Sequence, residues 1–318
     1  MGPEVILFVG EALSKYGFPE HHPFSADRQG AFWSEAQKQR LDRQVRVRAP
    51  RSATREELLR FHDDAHVRWV EACSNRGSGY IDYGDTPAFP GVYEAGASIV
   101  GTALEGLQCI MDGEAKRTFQ PVGGMHHSRR HCAAGFCVFN DIGVVIDTLR
   151  EKHAIKRIAY VDIDVHHGDG VYYPYESDPD LIAVDIHEDG NFLYPGTGHA
   201  HETGTGEAQG TKLNIPMKPG EGDRDFAAAW ERAEIHLRRH KPEFIIMQAG
   251  ADGLAGDPLA DLRYTPAVHV RAVQGLLKLA EETTGGRMMV FGGGGYDLGN
   301  IAAAWTAVLR EMARDAPA

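Results

Sequence analysis

The stretch Tyr160-Val161-Asp162-Ile163-Asp164-Val165-His166-His167-Gly168-Asp169-Gly170 decides the fold. It continues an apolar run from Arg157-Ile158-Ala159, and such a run reads as a buried strand of a parallel sheet. Side chains on a strand alternate faces, so Asp162, Asp164 and His166 project one way and Ile163 and Val165 the other. Gly168 and Gly170 then end the strand and let the chain turn. Three carboxylates and two histidines fall within eight residues. Burying that many charges without a cation or partners costs several kcal/mol per ion. Ligands of parallel sheets bind outside the carboxyl ends of the strands, so the stretch reads as one arm of a divalent-cation site.

Working outward, apolar runs at 4–9, 181–187, 244–250 and 288–291 read as further strands. Helical periodicity covers 54–73, 92–112, 139–152, 223–240, 266–283 and 299–314, with Thr54 and Glu57 spaced as a capping box. Residues 16–30 (holding His21 and His22, read as rim residues), 74–90 and 188–210 are loops, and loops as long as the last are usually functional. Strands alternating with helices predict an α/β fold, a mostly parallel sheet covered on both faces. With no repeat or linker in view, residues 1–318 read as one domain.

The composition narrows the partners. The chain has 318 residues, 42% hydrophobic and 25% charged, with a net charge of −12. An acidic balance argues against nucleic acid as a partner. No apolar run approaches the length of a membrane span, and Val5–Val9 follows no basic region, so it reads as a strand and not a signal peptide. Cys73, Cys109, Cys132 and Cys137 form no CxxC pair, which fits free thiols in a reducing cytoplasm.

Four strand-to-loop junctions carry chemistry: His126/His127, Asp162/Asp164/His166/Asp169, Asp252/Asp257 and Tyr296. A parallel sheet brings all of them to one edge. Asp164, His166 and Asp257 would leave an open position, the pattern of a catalytic zinc, and two carboxylates make the site hard enough for Fe(II) to compete. His126 or His127 would serve as general base and acid, each oriented by a carboxylate. The Gly292–Gly295 run lacks the spacing of a nucleotide loop. It reads instead as the close approach of Tyr296, whose phenol would donate to a developing oxyanion.

Together these residues resemble the zinc-dependent histone deacetylase family, including its bacterial acetoin-utilisation and acetylpolyamine-deacetylase branches. The resemblance rests on Gly-Gly-Met-His126-His127, Gly135-Phe136-Cys137-Val138-Phe139-Asn140-Asp141, the Asp162–Gly170 stretch, Tyr194-Pro-Gly-Thr-Gly, Gly256-Asp257-Pro258 and Gly-Gly-Gly-Gly-Tyr296, in family order. It implies an arginase-like three-layer sandwich with about eight strands. It also implies zinc on Asp164, His166 and Asp257, with Asp162 paired to His126, Asp169 to His127, and Tyr296 polarising the acyl carbonyl. Phe136 and Tyr194 would wall an acyl-lysine tunnel, Gly135 would accept the substrate amide N–H, and Asp85 would hold the peptide backbone at the rim. Tyr264 would be a neutral rim residue. Two positions depart from the family pattern: Tyr194 stands where Phe is usual, and Asp185 where Ser is usual beside a structural potassium held with Asp162 and the Ile186 carbonyl. The implied reaction is removal of acetyl or another short acyl group from lysine in a protein or peptide. Its alternatives are a small acylated amine such as an acetylpolyamine, a non-catalytic binder of acylated ligands, and an arginase-like dinuclear manganese enzyme, which needs more carboxylates than this set offers.

Overall fold

A computed structural model describes residues 4–19 and 22–314. His21 lies outside them. Eight strands form the sheet: β1 (Val5–Phe8), β2 (Arg46–Arg48), β3 (Arg117–Gln120), β4 (Ile158–Asp162), β5 (Leu181–Glu188), β6 (Lys212–Met217), β7 (Phe244–Gln248) and β8 (Met288–Phe291). Their order is β2-β1-β3-β8-β7-β4-β5-β6, and every pairing is parallel. The helices are α1 (Glu11–Ser14), α2 (Arg28–Lys38), α3 (Arg55–Leu58), α4 (Asp64–Arg76), α5 (Val92–Met111), α6 (Asp141–His153), α7 (Asp169–Tyr172), α8 (Asp223–His240), α9 (Ala267–Thr283) and α10 (Leu298–Ala313).

Strand alternation divides the core in two. Ile6, Phe8, Tyr160, Phe244 and Ile246 pack under α4, α5 and α6. Val5, Leu7, Ala159, Val161, Ile245 and Met247 pack against α2, α8, α9 and α10. Ile163 and Val165 join the second core, so the alternation persists beyond Asp162, where β4 ends. Among the described residues no helix is long and apolar enough to cross a membrane.

The fold departs from the periodicity in three places. The helix expected over 54–73 is broken into α3 and α4, because Phe61 and His62 turn into the core and the Asp63 N–H bonds the Arg130 carbonyl. Its start does carry the Thr54–Glu57 capping box. Residues 28–30, expected to end a loop, instead open α2, which runs to Lys38. Strands β2, β3 and β6 are polar enough to have escaped notice: Arg117, Gln120 and Lys212 are buried by specific partners.

Candidate active site

The carboxyl ends of β3, β4, β5, β7 and β8 gather the functional groups. The turn after β3 delivers His126 and His127. His126 Nδ1 donates to Asp162 Oδ2 at 2.7 Å, and His127 Nδ1 donates to Asp169 Oδ1 at 2.7 Å. Their rings sit 4.1 Å apart, centroid to centroid. Tyr160 OH also donates to Asp162 Oδ2, and Arg129 donates to Asp169 Oδ2 at 2.6 Å.

Beside them three donor atoms, from Asp164, His166 and Asp252, all lie within 4.8 Å of one another. The third member of this group is Asp252. Asp257, close enough for its charge to act on both Asp252 and His166, accepts the Tyr296 N–H on Oδ2 at 2.8 Å and the Leu259 N–H on Oδ1 at 3.0 Å. Asp252 Oδ1 accepts the Val165 N–H at 3.0 Å. Its Oδ2 has no hydrogen-bond partner among the described residues and stands 3.2 Å from His166 Nδ1. Asp164 Oδ1 is 3.0 Å from the same nitrogen. Gln248 Nε2 and the Gly294 N–H hold Asp164 Oδ2, at 2.6 and 2.7 Å. A side chain on Gly294 would put its Cβ 2.1 Å from Asp252 Oδ2, and one on Gly250 would put it 2.2 Å from Asp164 Oδ2. Glycine at both positions lets the backbone close on the cluster.

The electrostatics call for a positive charge here. Burial, reinforced by Asp164, raises Asp252 to about 7. Burial works against charge on His166, yet Asp164 and Asp252 outweigh it and raise it to about 10. The donor set of two carboxylates and an imidazole, with one orphaned oxygen, fits a divalent cation.

The two histidines of the turn are driven apart. Burial opposes charge on His126, but Asp162 and Asp164 prevail and raise its pKa to about 9. Burial, with cationic His126 alongside, lowers His127 to about 4. Burial opposes ionisation of Asp169 too, but the bonds from His127 and Arg129 keep it at about 2. At neutral pH this leaves a charged His126 and a neutral His127, whose free Nε2 can take a proton.

Three rings flank these groups. Tyr296 lies 6.4 Å from His166 and 5.9 Å from Phe136. Tyr194 stands edge-on to His127 at 5.1 Å and to His166 at 6.3 Å. Phe136 has a φ of 67°, and Gly135 before it a φ of 53°. A non-glycine residue held there stores about 1–3 kcal/mol of strain. Tyr16 OH bonds the Phe136 carbonyl at 2.7 Å, and the Phe136 N–H bonds Thr86 Oγ1 at 3.1 Å, which holds it in place. A Cβ on Gly135 would lie 2.4 Å from His127 Cδ2. Asp85 is half-buried on the neighbouring loop, where His22 Nε2 faces its carbonyl at 3.3 Å. Tyr264 is not at the rim. It is 2% exposed, packs edge-on to Phe226 at 5.2 Å and covers Gly253, because the Leu254–Tyr264 bridge turns its ring toward α8.

Asp185 meets Asp162 in register across β4 and β5. Its Oδ1 lies 2.6 Å from His187 Nδ1 and its Oδ2 accepts the Gly168 N–H at 2.9 Å. Burial notwithstanding, His187 lowers the pKa of Asp185, so this carboxylate already has a partner inside the protein. Sequence reasoning passed over Arg28. It is 1% exposed, donates to the carbonyls of Gly293 and Gly295 and lies over the Phe24 ring at 4.0 Å. Its place at the start of α2, in what read as a loop, gave no signal.

A family model described as a histone deacetylase domain matches residues 22–312. The chain belongs to the histone deacetylase family. It is 33% identical over 316 residues to the acetoin utilization protein AcuC of Bacillus subtilis, covering 96% of this chain and 81% of the relative. It is 32% identical to a histone deacetylase-like amidohydrolase of Pseudomonas aeruginosa, over 86% of this chain and 72% of that one. A crystal structure of the HDA15 HD domain superposes with a TM-score of 0.90 at 29% identity, covering 97% of this chain and 88% of that one. This histone deacetylase-family chain is therefore a hydrolase built on an α/β fold.

The split between the histidines sets a pH profile. With saturating metal, kcat/KM should fall on the acid side as His127, held below the ordinary histidine value, gains a proton, and fall again on the basic side as His126, held above it, loses its own. Steady-state rates across that range check it; a single mid-range pKa near the ordinary histidine value would refute the assignment.

Proposed function

We propose that this hydrolase cleaves the amide of Nε-acetyl-lysine, or of another short acyl-lysine, in proteins or peptides, releasing acetate, with zinc at Asp164, His166 and Asp257 and the Asp252 carboxylate beside them. The observation that carries the reading is the buried Asp164–His166–Asp252 cluster beside two His–Asp pairs. Among the relatives is a histone deacetylase 8 of Xenopus tropicalis, 31% identical over 84% of this chain. A bound zinc ion would polarise the acyl carbonyl and acidify a water molecule; Fe(II) would supply the same chemistry on this donor set.

The chain's own groups do the rest. Neutral His127 accepts a proton at Nε2 and returns it to the leaving lysine nitrogen, while Asp169 holds its Nδ1–H. Charged His126, anchored by Asp162, supplies fixed positive potential next to it. Tyr296 donates its hydroxyl to the developing oxyanion, and Arg28 braces the glycine run that carries it. Phe136 and Tyr194 grip the apolar linker, the Gly135 carbonyl accepts the substrate amide N–H, and Asp85 accepts from the peptide backbone. Asp257 also fixes the Tyr296 backbone by accepting its N–H.

Ligand assignment has a direct test. Asp257→Ala should lose the bound divalent ion and the activity, measured by elemental analysis and turnover of the purified variant. Retention of the ion there, with its loss in Asp252→Ala, would make Asp252 the third ligand.

A second reading, turnover of acetylpolyamines, is favoured by Asp85, a carboxylate on the loop whose Thr86 hydroxyl holds the Phe136 N–H, since a carboxylate there suits a free ammonium. Burial and the neighbouring Asp82 raise Asp85 to about 7, and only its carboxylate accepts two N–H bonds. KM for an acetyl-lysine peptide should therefore fall as pH rises through about 7, and Asp85→Ala should remove that dependence. Peptide, acetylputrescine and acetylspermidine assayed side by side decide the substrate class: equal or better turnover of the amines would replace the peptide reading.

We also propose potassium at Asp162, Asp185 and the Ile186 carbonyl, where it would share the Asp185 oxygens with His187 and Gly168. Potassium should then raise Tm of the wild-type protein and leave Asp185→Ala unmoved. An equal response, or none in either, removes potassium from the site.

A further inference from the structure

The motif Asn140-Asp141 has no part in the chemistry above, yet both side chains are fully buried and reach the active-site backbone. Asp141, the first residue of α6, accepts the Gly124 N–H on Oδ2 and the Met125 N–H on Oδ1, each at 2.8 Å. Those two N–H groups belong to the turn just before His126. The fit is close: Gly124 has a φ of 81°, and a Cβ on Gly123 would lie 2.9 Å from Asp141 Oδ2.

Asn140 works on the other side of the histidines. Its Oδ1 accepts the Gly143 N–H at 2.8 Å, which caps α6. Its Nδ2 donates to the Ser128 carbonyl at 2.8 Å and to the Gly170 carbonyl at 3.0 Å. Ser128 directly follows His127, and Gly170 directly follows Asp169. One amide group therefore ties together the two segments that carry the halves of the His127–Asp169 pair. The segments are already in contact, since a Cβ on Gly170 would fall 2.5 Å from the His126 carbonyl oxygen. His62 extends the tie. Its Nε2 accepts the Asn140 N–H at 2.8 Å, so its Nδ1–H donates to the Arg129 carbonyl at 3.0 Å.

We propose that Asn140 and Asp141 are positioning residues for the tandem histidines: Asp141 sets the turn entering His126, and Asn140 fixes His127 relative to Asp169. This rests on the reading of His127 as the proton carrier. A misplacement of about 1 Å is enough to slow a reaction by about 10²-fold, and four backbone groups around two adjacent side chains leave little room for one.

The rival account is that Asn140 only caps a helix. Asn140→Ser separates the two, because Ser also caps well but cannot span both carbonyls. Asp141→Asn likewise keeps shape while turning one acceptor into a donor that faces an N–H. Leu149→Ala, in the core face of the same helix, serves as the control for simple loss of stability. Metal content and wild-type turnover are measured on the same preparations. Both positioning variants should lose about 10–100-fold in kcat, as outer-shell partners typically do. They should keep the wild-type KM and metal content, while Leu149→Ala at equal loss of Tm keeps its kcat. In proton NMR the low-field imidazole N–H resonance bonded to Asp169 should shift in Asn140→Ser, and the one bonded to Asp162 in Asp141→Asn. Unchanged resonances with wild-type kcat, or an equal kcat loss in Leu149→Ala, would overturn the proposal. A wild-type protein without deacylase turnover would instead overturn the functional reading, and the resonances alone would then decide the positioning role.

Discussion

Three buried ligand atoms that face one another govern this structure. Asp164, His166 and Asp252 leave water at the end of β4 and the turn after β7, with lone pairs directed into a common space. Coulomb repulsion between two carboxylates grows as the dielectric falls, so the surroundings are built to bear it. Gln248, the Gly294 N–H and the Val165 N–H each give a hydrogen bond to the cluster. Two glycines stand where any side chain would collide with it. The parallel sheet makes the convergence possible, because segments more than a hundred residues apart end on one edge.

The same economy of charge explains the histidine pair. Two imidazoles in contact cannot both carry a proton cheaply in a buried site. Asp162 and Asp164 award the charge to His126, and Arg129 shares the Asp169 carboxylate with His127. Around them the backbone accepts strain, with Phe136 held in a left-handed conformation by Tyr16 and Thr86. That strain aims an aromatic ring alongside Tyr296.

Much of this was legible from residue order. Apolar runs ending in Asp, His or Gly located β4, β5, β7 and β8, and the sheet logic brought their ends together. The expected eight-stranded three-layer α/β sandwich is the one observed. What escaped notice shares one physical cause: the deciding partner is distant in sequence. Asp252 shares its strand end with Asp257, and only the turn after β7 brings its carboxylate beside Asp164 and His166. Tyr264 reads as a rim residue until its backbone bridge to Leu254 turns the ring into the core. Strands β3 and β6 carry Arg, Gln and Lys whose burial depends on partners that periodicity cannot foresee, β2 is short and half-exposed, and the helix break at Phe61–Asp63 depends on the Arg130 carbonyl.

The two outermost strands have a consequence for the life of the molecule in a crowded solution. A bare sheet edge is a template on which another chain can add a strand. Here one edge is Arg46-Val47-Arg48, only three residues long and charged on both sides of its valine. The other, β6, carries Pro216, which has no N–H to offer an incoming strand. Short length, like charges and a missing donor block self-templating at both ends, so an all-parallel sheet of eight strands can stay dispersed without closing into a barrel.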